Sequence, residues 1–301
     1  MSGYRSASQS VTSKMTPQQR YKLNQKIAGG LLKPKRNFKR IVVLADLHCG
    51  HRVGLTPPDW QSDAPGGKYL VIQQQLWDAY AGWIDALKPI DYLFLNGDTI
   101  DGKGERSGGT ELITTDRKKQ IDMAADAIAY TEVPGHNMVA SIGTPYHVGT
   151  DEDWEVELGD KLGVKAIKSH EWPQIDGITF DLKHQPAGSS GIPHGRAGPI
   201  AKDKLWNMIW AEYNAQPSSD VIIRSHLHYA SAVTEPHWLG IITPALQGAG
   251  TKYGARRCAG IVHFGLTVLD LYPGDNLQER IRWHWKTVFV QSQRSGVLEL
   301  S

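Results

Sequence analysis

Aspartate and histidine residues follow several apolar segments of this 301-residue chain, and they are the side chains that could do chemistry. The segment 220–228 reads Asp-Val-Ile-Ile-Arg-Ser-His-Leu-His and ends in His226 and His228. A strand that continued through both residues would direct the two imidazoles to one face, whereas a loop would let them diverge. Neutral imidazole is the commonest metal ligand in proteins, so the pair is a candidate metal site.

Four earlier apolar segments also end in aspartate or histidine, and five of the twelve histidines occupy such positions. Ligands of open α/β sheets gather beyond the carboxyl ends of strands, so we expect these side chains to converge on one site. They are Asp46 and His48, Asp98 and Asp101, His147, and His184.

Two aspartates and four histidines of this set offer oxygen and imidazole donors without thiolate. Such donors suit manganese, iron, zinc or nickel better than magnesium or calcium, and manganese is our first expectation. Six donors exceed the three or four that one zinc ion takes, so we expect two divalent ions bridged by a carboxylate. With a bridging hydroxide, the centre would carry a charge of about +1, attract a phosphate anion and clamp the attacking and leaving oxygens.

Helical and extended patterns alternate through the first two thirds of the chain, and strands pair after that, which predicts one α/β domain built as a layered sandwich. The helix predicted at 199–214 is expected to direct Ile200, Leu205, Met208 and Ile209 inward. The other predicted helices cover 68–87, 114–130 and 150–162, the last capped by Thr150 or Asp151. Strands are predicted at 41–45, 92–95, 138–142, 221–224, 240–243, 261–271 and 280–290, with a hairpin at 172–183.

The composition is that of a globular protein with a sizeable core, at 40% hydrophobic and 21% charged residues. The two cysteines, Cys49 and Cys258, exclude a disulfide framework and a cysteine-rich zinc site. The first thirty residues lack the apolar segment of a signal peptide, and no stretch has the ~20 apolar residues of a membrane span. We therefore expect a cytoplasmic protein without a membrane partner.

Charge is distributed unevenly along the chain. Residues 1–45 contain ten basic residues and no acidic one, and the net charge of +2 leaves about −8 for the remainder. Residues 1–38 are predicted to be a basic arm with a short helix at 16–28, and residues 39–295 to form the domain. The arm could hold nucleic acid, whose backbone charge dominates such binding, or it could fold back on the acidic domain.

The order of these motifs along residues 40–250 resembles that of the calcineurin-like metallophosphoesterases. The family pattern is Asp-x-His, Gly-Asp-x-x-Asp, Gly-Asn-His-Asp/Glu, a lone histidine and Gly-His-x-His. The matching segments are Asp46-Leu47-His48, Gly97-Asp98-Thr99-Ile100-Asp101, His184, and Ser225-His226-Leu227-His228, with serine in place of glycine.

The resemblance implies a four-layer α/β/β/α sandwich with two mixed sheets. It also implies that Asp46, His48 and His228 hold one ion, that His184 and His226 hold the other, and that Asp98 bridges them. The activity it implies is hydrolysis of phosphomonoesters or phosphodiesters by attack of a metal-bridging hydroxide.

The third motif departs from the family, because Gly143-Thr144-Pro145-Tyr146-His147 lacks the asparagine ligand. Thr144 could supply a hydroxyl, or His147 could itself bind metal. If His147 keeps the family's catalytic role, it protonates the leaving alkoxide while Asp101 accepts its other ring proton. The swapped pair His136-Asn137 precedes its strand, so we interpret it as unrelated to the site.

Three loop residues, His51, His194 and Arg196, are candidate substrate contacts, the last as a fork for phosphate. Cys49 is expected to be packed, and Arg224 to form a buried or edge ion pair. Two alternatives to a small-molecule phosphoesterase stay open. One is a DNA or RNA nuclease that uses the basic arm, and the other is a scaffold of the same fold with weakened catalysis.

Overall fold

Two mixed β-sheets form the framework of the protein. The computed structural model describes residues 36–62, 67–149, 153–189, 192–250 and 261–289. In chain order the strands are β1 (Lys39–Leu44), β2 (Tyr92–Asn96), β3 (Met138–Ser141), β4 (Ala166–Lys168), β5 (His170–Glu171), β6 (Gln174–Ile175), β7 (Ile178–Lys183), β8 (Val221–Arg224), β9 (Ser231–Glu235), β10 (Trp238–Ile242), β11 (Phe264–Leu271) and β12 (Ile281–Val288).

Helices cover the outer faces of the sheets. They are α1 (Lys68–Leu87), α2 (Arg117–Ala129), α3 (Pro145–Val148), α4 (Trp154–Leu162), α5 (Gly198–Glu212) and α6 (Leu277–Arg280). Short 3-10 turns lie at Pro58–Trp60, Glu105–Ser107, Gly135–Asn137 and Pro193–Gly195. No helix among the described residues has the length and apolar character needed to cross a membrane.

Parallel strands form the middle of each sheet. The first sheet has the order β12-β11-β1-β2-β3-β4, in which β1 to β4 are parallel and β11 is antiparallel to β1. The second has the order β5-β7-β8-β10-β9, with β6 pairing on β7. In both sheets the parallel strands are nearly continuous apolar runs, which is the pattern of strands covered on both faces.

Three apolar layers separate the sheets and helices. The largest lies between the first sheet and the helices α1, α2 and α4, with Leu76, Tyr80 and Ile128 at its centre. The second lies between the sheets, where the rings of Phe94 and Phe180 meet edge to face at 5.3 Å. The third lies between the second sheet and α5. The predicted four-layer α/β/β/α arrangement with two mixed sheets is therefore confirmed.

Local sequence explains the hairpin at β6 and β7. Asp176 and Gly177 connect the strands with φ angles of 51° and 80°, and Asp-Gly is the favoured pair for such a two-residue turn. The hairpin was predicted, as was the full extent of α1. The short strands β4 and β5 were not predicted, because two or three residues give no readable alternation. The five-residue strand β9 was not predicted because its only apolar residues, Ala232 and Val233, are adjacent and do not alternate.

Helix α5 has the opposite orientation to the predicted one. Ile200 is buried, but Leu205 and Met208 are each 56% exposed and Ile209 is 37% exposed. The buried positions are instead occupied by Asp203 and Asn207, which find hydrogen-bond partners inside the fold. Two other expectations, the helix at 16–28 and the cap at Thr150 or Asp151, lie outside the described residues.

Candidate metal centre

Loops that follow β1, β2, β3, β7 and β8 meet at one end of the two sheets. Backbone hydrogen bonds tie the first two loops together, from the Asp46 amide to the Gly97 carbonyl at 2.9 Å and from the His48 amide to the Asp98 carbonyl at 3.0 Å. The amide of His226 donates to Asp46 Oδ2 at 3.1 Å. The second sheet is thereby joined to the first at the site.

The carboxylate of Asp46 is fully buried at the centre of these loops. Its Oδ1 atom lies 3.2 Å from His228 Nε2, 3.8 Å from His184 Nε2 and 3.9 Å from His48 Nε2. No N–H group among the described residues is aligned to donate to this oxygen. Burial acts to raise the pKa of the carboxyl, but the imidazoles of His228 and His184 hold that pKa below its ordinary value.

Asp98 is the second buried carboxylate. Its Oδ2 atom lies 2.9 Å from His184 Nε2 and 4.0 Å from His226 Nδ1. Burial again opposes ionisation, yet the same imidazoles place the pKa of Asp98 well below its ordinary value. Both carboxylates are therefore ionised at neutral pH and available as ligands.

The ring of His48 is oriented by Asp101, whose Oδ1 lies 2.9 Å from His48 Nδ1. Burial and the nearby imidazole of His147 lower the pKa of His48 to about 4, although Asp101 opposes this. The ring is then neutral at pH 7, with its proton on Nδ1 and a lone pair on Nε2. That lone pair faces His228 Nε2 at 3.3 Å.

His184 is held in the same way by a backbone carbonyl. Its Nδ1–H donates to the carbonyl of Asn96 at 2.7 Å, so Nε2 is directed at the two carboxylates. Burial acts to lower the pKa of His184, but Asp98 and Asp46 raise it to about 10. In the metal-free protein this imidazole therefore carries a second proton.

Five of these residues have left-handed backbone conformations, which L residues rarely adopt. Two glycines allow the close approaches around them. A Cβ on Gly97 would lie 2.5 Å from His184 Nδ1, and one on Gly143 would lie 2.2 Å from Asp98 Oδ1. The φ angles are 51° at Asp46, 46° at His48, 51° at Asp98, 70° at His226 and 53° at His228.

In the third motif, Thr144 is hydrogen-bonded to Asp98, a candidate ligand. Its amide donates to Asp98 Oδ1 at 2.6 Å, and its hydroxyl lies 3.1 and 3.2 Å from the two carboxylate oxygens. His147 lies three residues beyond Thr144 and donates Nδ1–H to the main-chain carbonyl of Asp101 at 2.9 Å. The expected contact with the Asp101 carboxylate is longer, at 3.5 Å, because that carboxylate is engaged by His48.

Glu155, on the first turn of α4, is a buried carboxylate that bridges two loops of the site. Its carboxylate accepts hydrogen bonds from the amide and hydroxyl of Thr99, both at 2.7 Å, and from the amide of Gly143 at 2.6 Å. It thus joins the loops that carry Asp98 and Thr144. Burial raises the pKa of Glu155. Nothing in the sequence marked this residue, because an acidic residue in a first helical turn is ordinary.

Asn96 links the two sheets beneath the ligands. Its amide nitrogen donates to Ser225 Oγ at 2.6 Å, and its Oδ1 accepts from Ser141 Oγ at 2.6 Å. Together with the carbonyl that holds His184, these bonds fix the strand ends against one another. Its position directly before the Gly-Asp motif is the one signal that could have identified it.

The candidate substrate contacts occupy different environments. His51 is buried, and its Nδ1 accepts a hydrogen bond from the amide of Val53. His194 is exposed, while Arg196 is half-buried and stacks over the ring of Tyr229 at 4.7 Å. The amide of His51 donates to the carbonyl of His48 at 3.0 Å, and Tyr229 directly follows His228, so His51 and Arg196 both contact segments that carry candidate ligands.

Three further expectations concern residues outside the ligand set. Cys49 is buried, and its thiol donates to the carbonyl of Leu55. Arg224 forms a buried ion pair with Asp181 at 2.6 Å. His136 is exposed at the opposite end of β3 from the ligands.

The described residues contain three groups whose ligand atoms all lie within 4.8 Å of one another and could hold a metal ion. Asp98 and His48 each belong to two of the groups. A buried carboxylate oxygen without an aligned donor is what a divalent cation would satisfy, so the residues fit such ions. The groups are Asp46, His48 and His228; His48, Asp98 and His147; and Asp98, His184 and His226.

No family model and no curated protein matches the chain. Similar solved structures include a predicted phosphoesterase from Streptococcus pneumoniae TIGR4, with 11% identity over 83% of this chain and 91% of that chain and a TM-score of 0.37. A novel archaeal phosphodiesterase has 11% identity over 83% of this chain and 99% of that chain, with a TM-score of 0.41.

A third similar structure is Vps29 from Entamoeba histolytica complexed with zinc, with 12% identity over 82% of this chain and 98% of that chain and a TM-score of 0.40. All three have the calcineurin-like metallophosphoesterase fold.

Proposed function

We propose that the protein is a metal-dependent phosphoesterase that uses two divalent ions, with manganese as the first candidate and zinc, iron and nickel as alternatives. The observation that carries the proposal is the position of Asp46 Oδ1, a buried oxygen within 3.9 Å of three imidazole nitrogens and without an aligned donor. Asp46, His48 and His228 would hold one ion, His184 and His226 the other, and Asp98 both. Bound ions would offset phosphate charge and lower the pKa of water.

The exposure of the side chains in the site indicates the side from which a substrate would enter. Asp46, Asp98 and His184 are almost completely buried, whereas the side chains of His147, His226 and His228 are 19%, 38% and 21% exposed. An ester would therefore enter past these three imidazoles. Arg196 contacts Tyr229, the residue after His228, and could pair with a phosphate oxygen.

His147 is the candidate proton donor to the leaving oxygen. Its Nδ1–H is committed to the Asp101 carbonyl, so Nε2 is the atom that can exchange a proton. Asp101 then has two tasks, since its carboxylate orients His48 while its carbonyl orients His147. The scaffold alternative has no observation in its favour beyond the missing asparagine, which Thr144 replaces with a contact to Asp98.

The test is metal analysis of the purified protein combined with turnover of 4-nitrophenyl phosphate and bis(4-nitrophenyl) phosphate in Mn, Zn, Ni, Fe and Mg. We expect close to two ions per chain and turnover that a chelator removes and the ions restore. Stoichiometric metal without turnover of either ester would favour the scaffold. A labelled DNA duplex and an RNA strand belong in the panel, because ten basic residues precede residue 46.

A further inference from the structure

Helix α5 presents an apolar face to solvent. Its inward face carries Asp203 and Asn207, which are 6% and 2% exposed, beside the buried Ile200. Its outward face and the residue that follows it carry large apolar side chains at 37–75% exposure. These are Leu205, Trp206, Met208, Ile209, Trp210 and Tyr213, which we call the α5 face.

Hydrogen bonds fix this orientation. Asp203 accepts from the amide of Ala187 at 2.9 Å, and the guanidinium of Arg224 lies 3.4 Å from its other oxygen. Asn207 accepts from the amide of Ser219 at 3.0 Å and donates to the carbonyl of Pro217 at 3.0 Å. Rotating α5 to bury its apolar side chains would break these hydrogen bonds and leave the buried partners of Asp203 and Asn207 unpaired, which is unfavourable.

The α5 face is large for a free surface. Aromatic side chains bury about 150–250 Å² each, so six large residues at roughly half exposure leave on the order of 600 Å² of mainly apolar area. That is the upper end of what monomers expose and approaches the ~800 Å² that each partner buries in a standard interface.

The charges at its two ends are opposite in sign. Lys202 and Glu212 lie on the outward side of α5, and both are exposed. Among the described residues, neither has an ion-pair partner. They are equally distant from position 207, about 7.5 Å along the helix axis on either side. A helix rotated by a two-fold axis through that position would place each lysine beside a glutamate.

We propose that the α5 face is the interface of a homodimer in which two α5 helices pack antiparallel about a two-fold axis near position 207. A two-fold interface pairs residue i with j and j with i. Leu205 then faces Ile209 at the centre of the contact, and Lys202 lies at the level of Glu212, each twice. The other large apolar residues of the α5 face flank this central contact, and both charges are paired.

A second copy fits this face better than two other occupants. The face with its flanking charges has no net charge, so it offers no attraction to the strongly basic residues 1–45. A helix that lies on a membrane carries lysine and arginine on its polar face, whereas the polar face of α5 is buried against the protein. The dimer does not depend on the phosphoesterase proposal.

Sedimentation velocity of the full-length chain across a concentration series tests the proposal. We expect a dimer that Ile209→Glu or Leu205→Lys converts to a monomer, with an increase in the dimer Kd of at least about 100-fold. Val71→Glu is the matched control, since Val71 is an exposed apolar residue, 54% accessible, on α1. Far-UV circular dichroism checks that each variant is folded.

A charge reversal tests the antiparallel pairing. Lys202→Glu and Glu212→Lys should each weaken the dimer several-fold, because each places like charges together twice, and the double variant should restore it. Failure of the double variant to restore affinity would overturn the pairing. A wild-type chain that stays monomeric would overturn the dimer, as would a dimer indifferent to Ile209→Glu. So would a monomer that binds anionic phospholipid vesicles through the same face.

Discussion

Asp46 Oδ1 lies 3.2 Å from His228 Nε2, yet no N–H group among the described residues is aligned to donate to that oxygen. The two atoms approach as ligands of a common ion do, rather than as a hydrogen-bonded pair. A buried oxygen of an ionised carboxylate that lacks an aligned donor is stabilised by a bound cation.

Asp98→Asn should reduce phosphoesterase activity to background and lower metal content while the fold stays intact. Residues that only orient ligands cost 10–100-fold when mutated, so losing a shared carboxylate should cost more than about 100-fold. Elemental analysis and ester turnover measure the two effects, and circular dichroism checks the fold. Asp160→Asn, an exposed carboxylate on α4, is the control. Full activity in the Asp98 variant would exclude a bridging role.

Metal uptake should release protons. His184 has a pKa of about 10 in the metal-free protein, so it is doubly protonated at pH 7, and a metal ligand must be neutral. Apparent affinity should therefore fall about tenfold for each pH unit below that pKa for every proton displaced. Calorimetry of metal binding at pH 7 in buffers of different ionisation enthalpy counts the protons. A count of zero would mean that His184 is not a ligand.

Glu155→Gln should weaken both the fold and the metal centre. The glutamine amide would turn a donor toward groups that already donate to Glu155, and each buried group left unpaired costs about 1–3 kcal/mol. We expect a lower Tm and a 10–100-fold loss of metal affinity. Glu157→Gln is exposed on the same helix and should change neither quantity. Equal changes of Tm and metal affinity in both variants would show that the effect comes from altering the helix and not from the hydrogen bonds of the Glu155 carboxylate.

His147→Asn should lower kcat by about 10²–10⁴-fold if its ring donates the proton to the leaving oxygen. The loss should be smaller for an ester with a good leaving group such as 4-nitrophenol than for an alkyl phosphate, because the former needs less protonation. Metal content should be retained. His136→Asn, at the far end of β3, should behave as wild type. Loss of metal in the His147 variant would instead identify it as a ligand.

Much of the fold could be predicted, because long segments have strong periodicity. Helix α1 has apolar residues at helical spacing over its whole length, and the parallel strands are continuous apolar runs. The strand ends then place Asp46, Asp98 and His184 at one edge by topology alone. Short strands and residues that act through hydrogen bonds, such as Glu155, carry no comparable periodic signal.

Helix α5 shows why periodicity alone can fail. Most of its large apolar residues lie on one side and Asp203 and Asn207 lie on the other, so burial of Leu205 and Ile209 was the expectation from the sequence. Asp203 and Asn207 are buried instead, because Arg224 and the loop at Ser219 supply hydrogen-bond partners for them. These partners cannot be identified from the sequence of the helix alone. The orientation was decided by tertiary contacts.

Backbone strain and the candidate ligands coincide at five positions, because each of these residues has a left-handed main chain. They are Asp46, His48, Asp98, His226 and His228. Glycine at any of them would relieve roughly 1–2 kcal/mol of conformational energy and delete a candidate ligand, and at Asp46 or Asp98 it would also leave the amide of His226 or Thr144 without an acceptor. A variant engineered for heat resistance could therefore not remove this backbone strain without also loosening the loops that these side chains tie together.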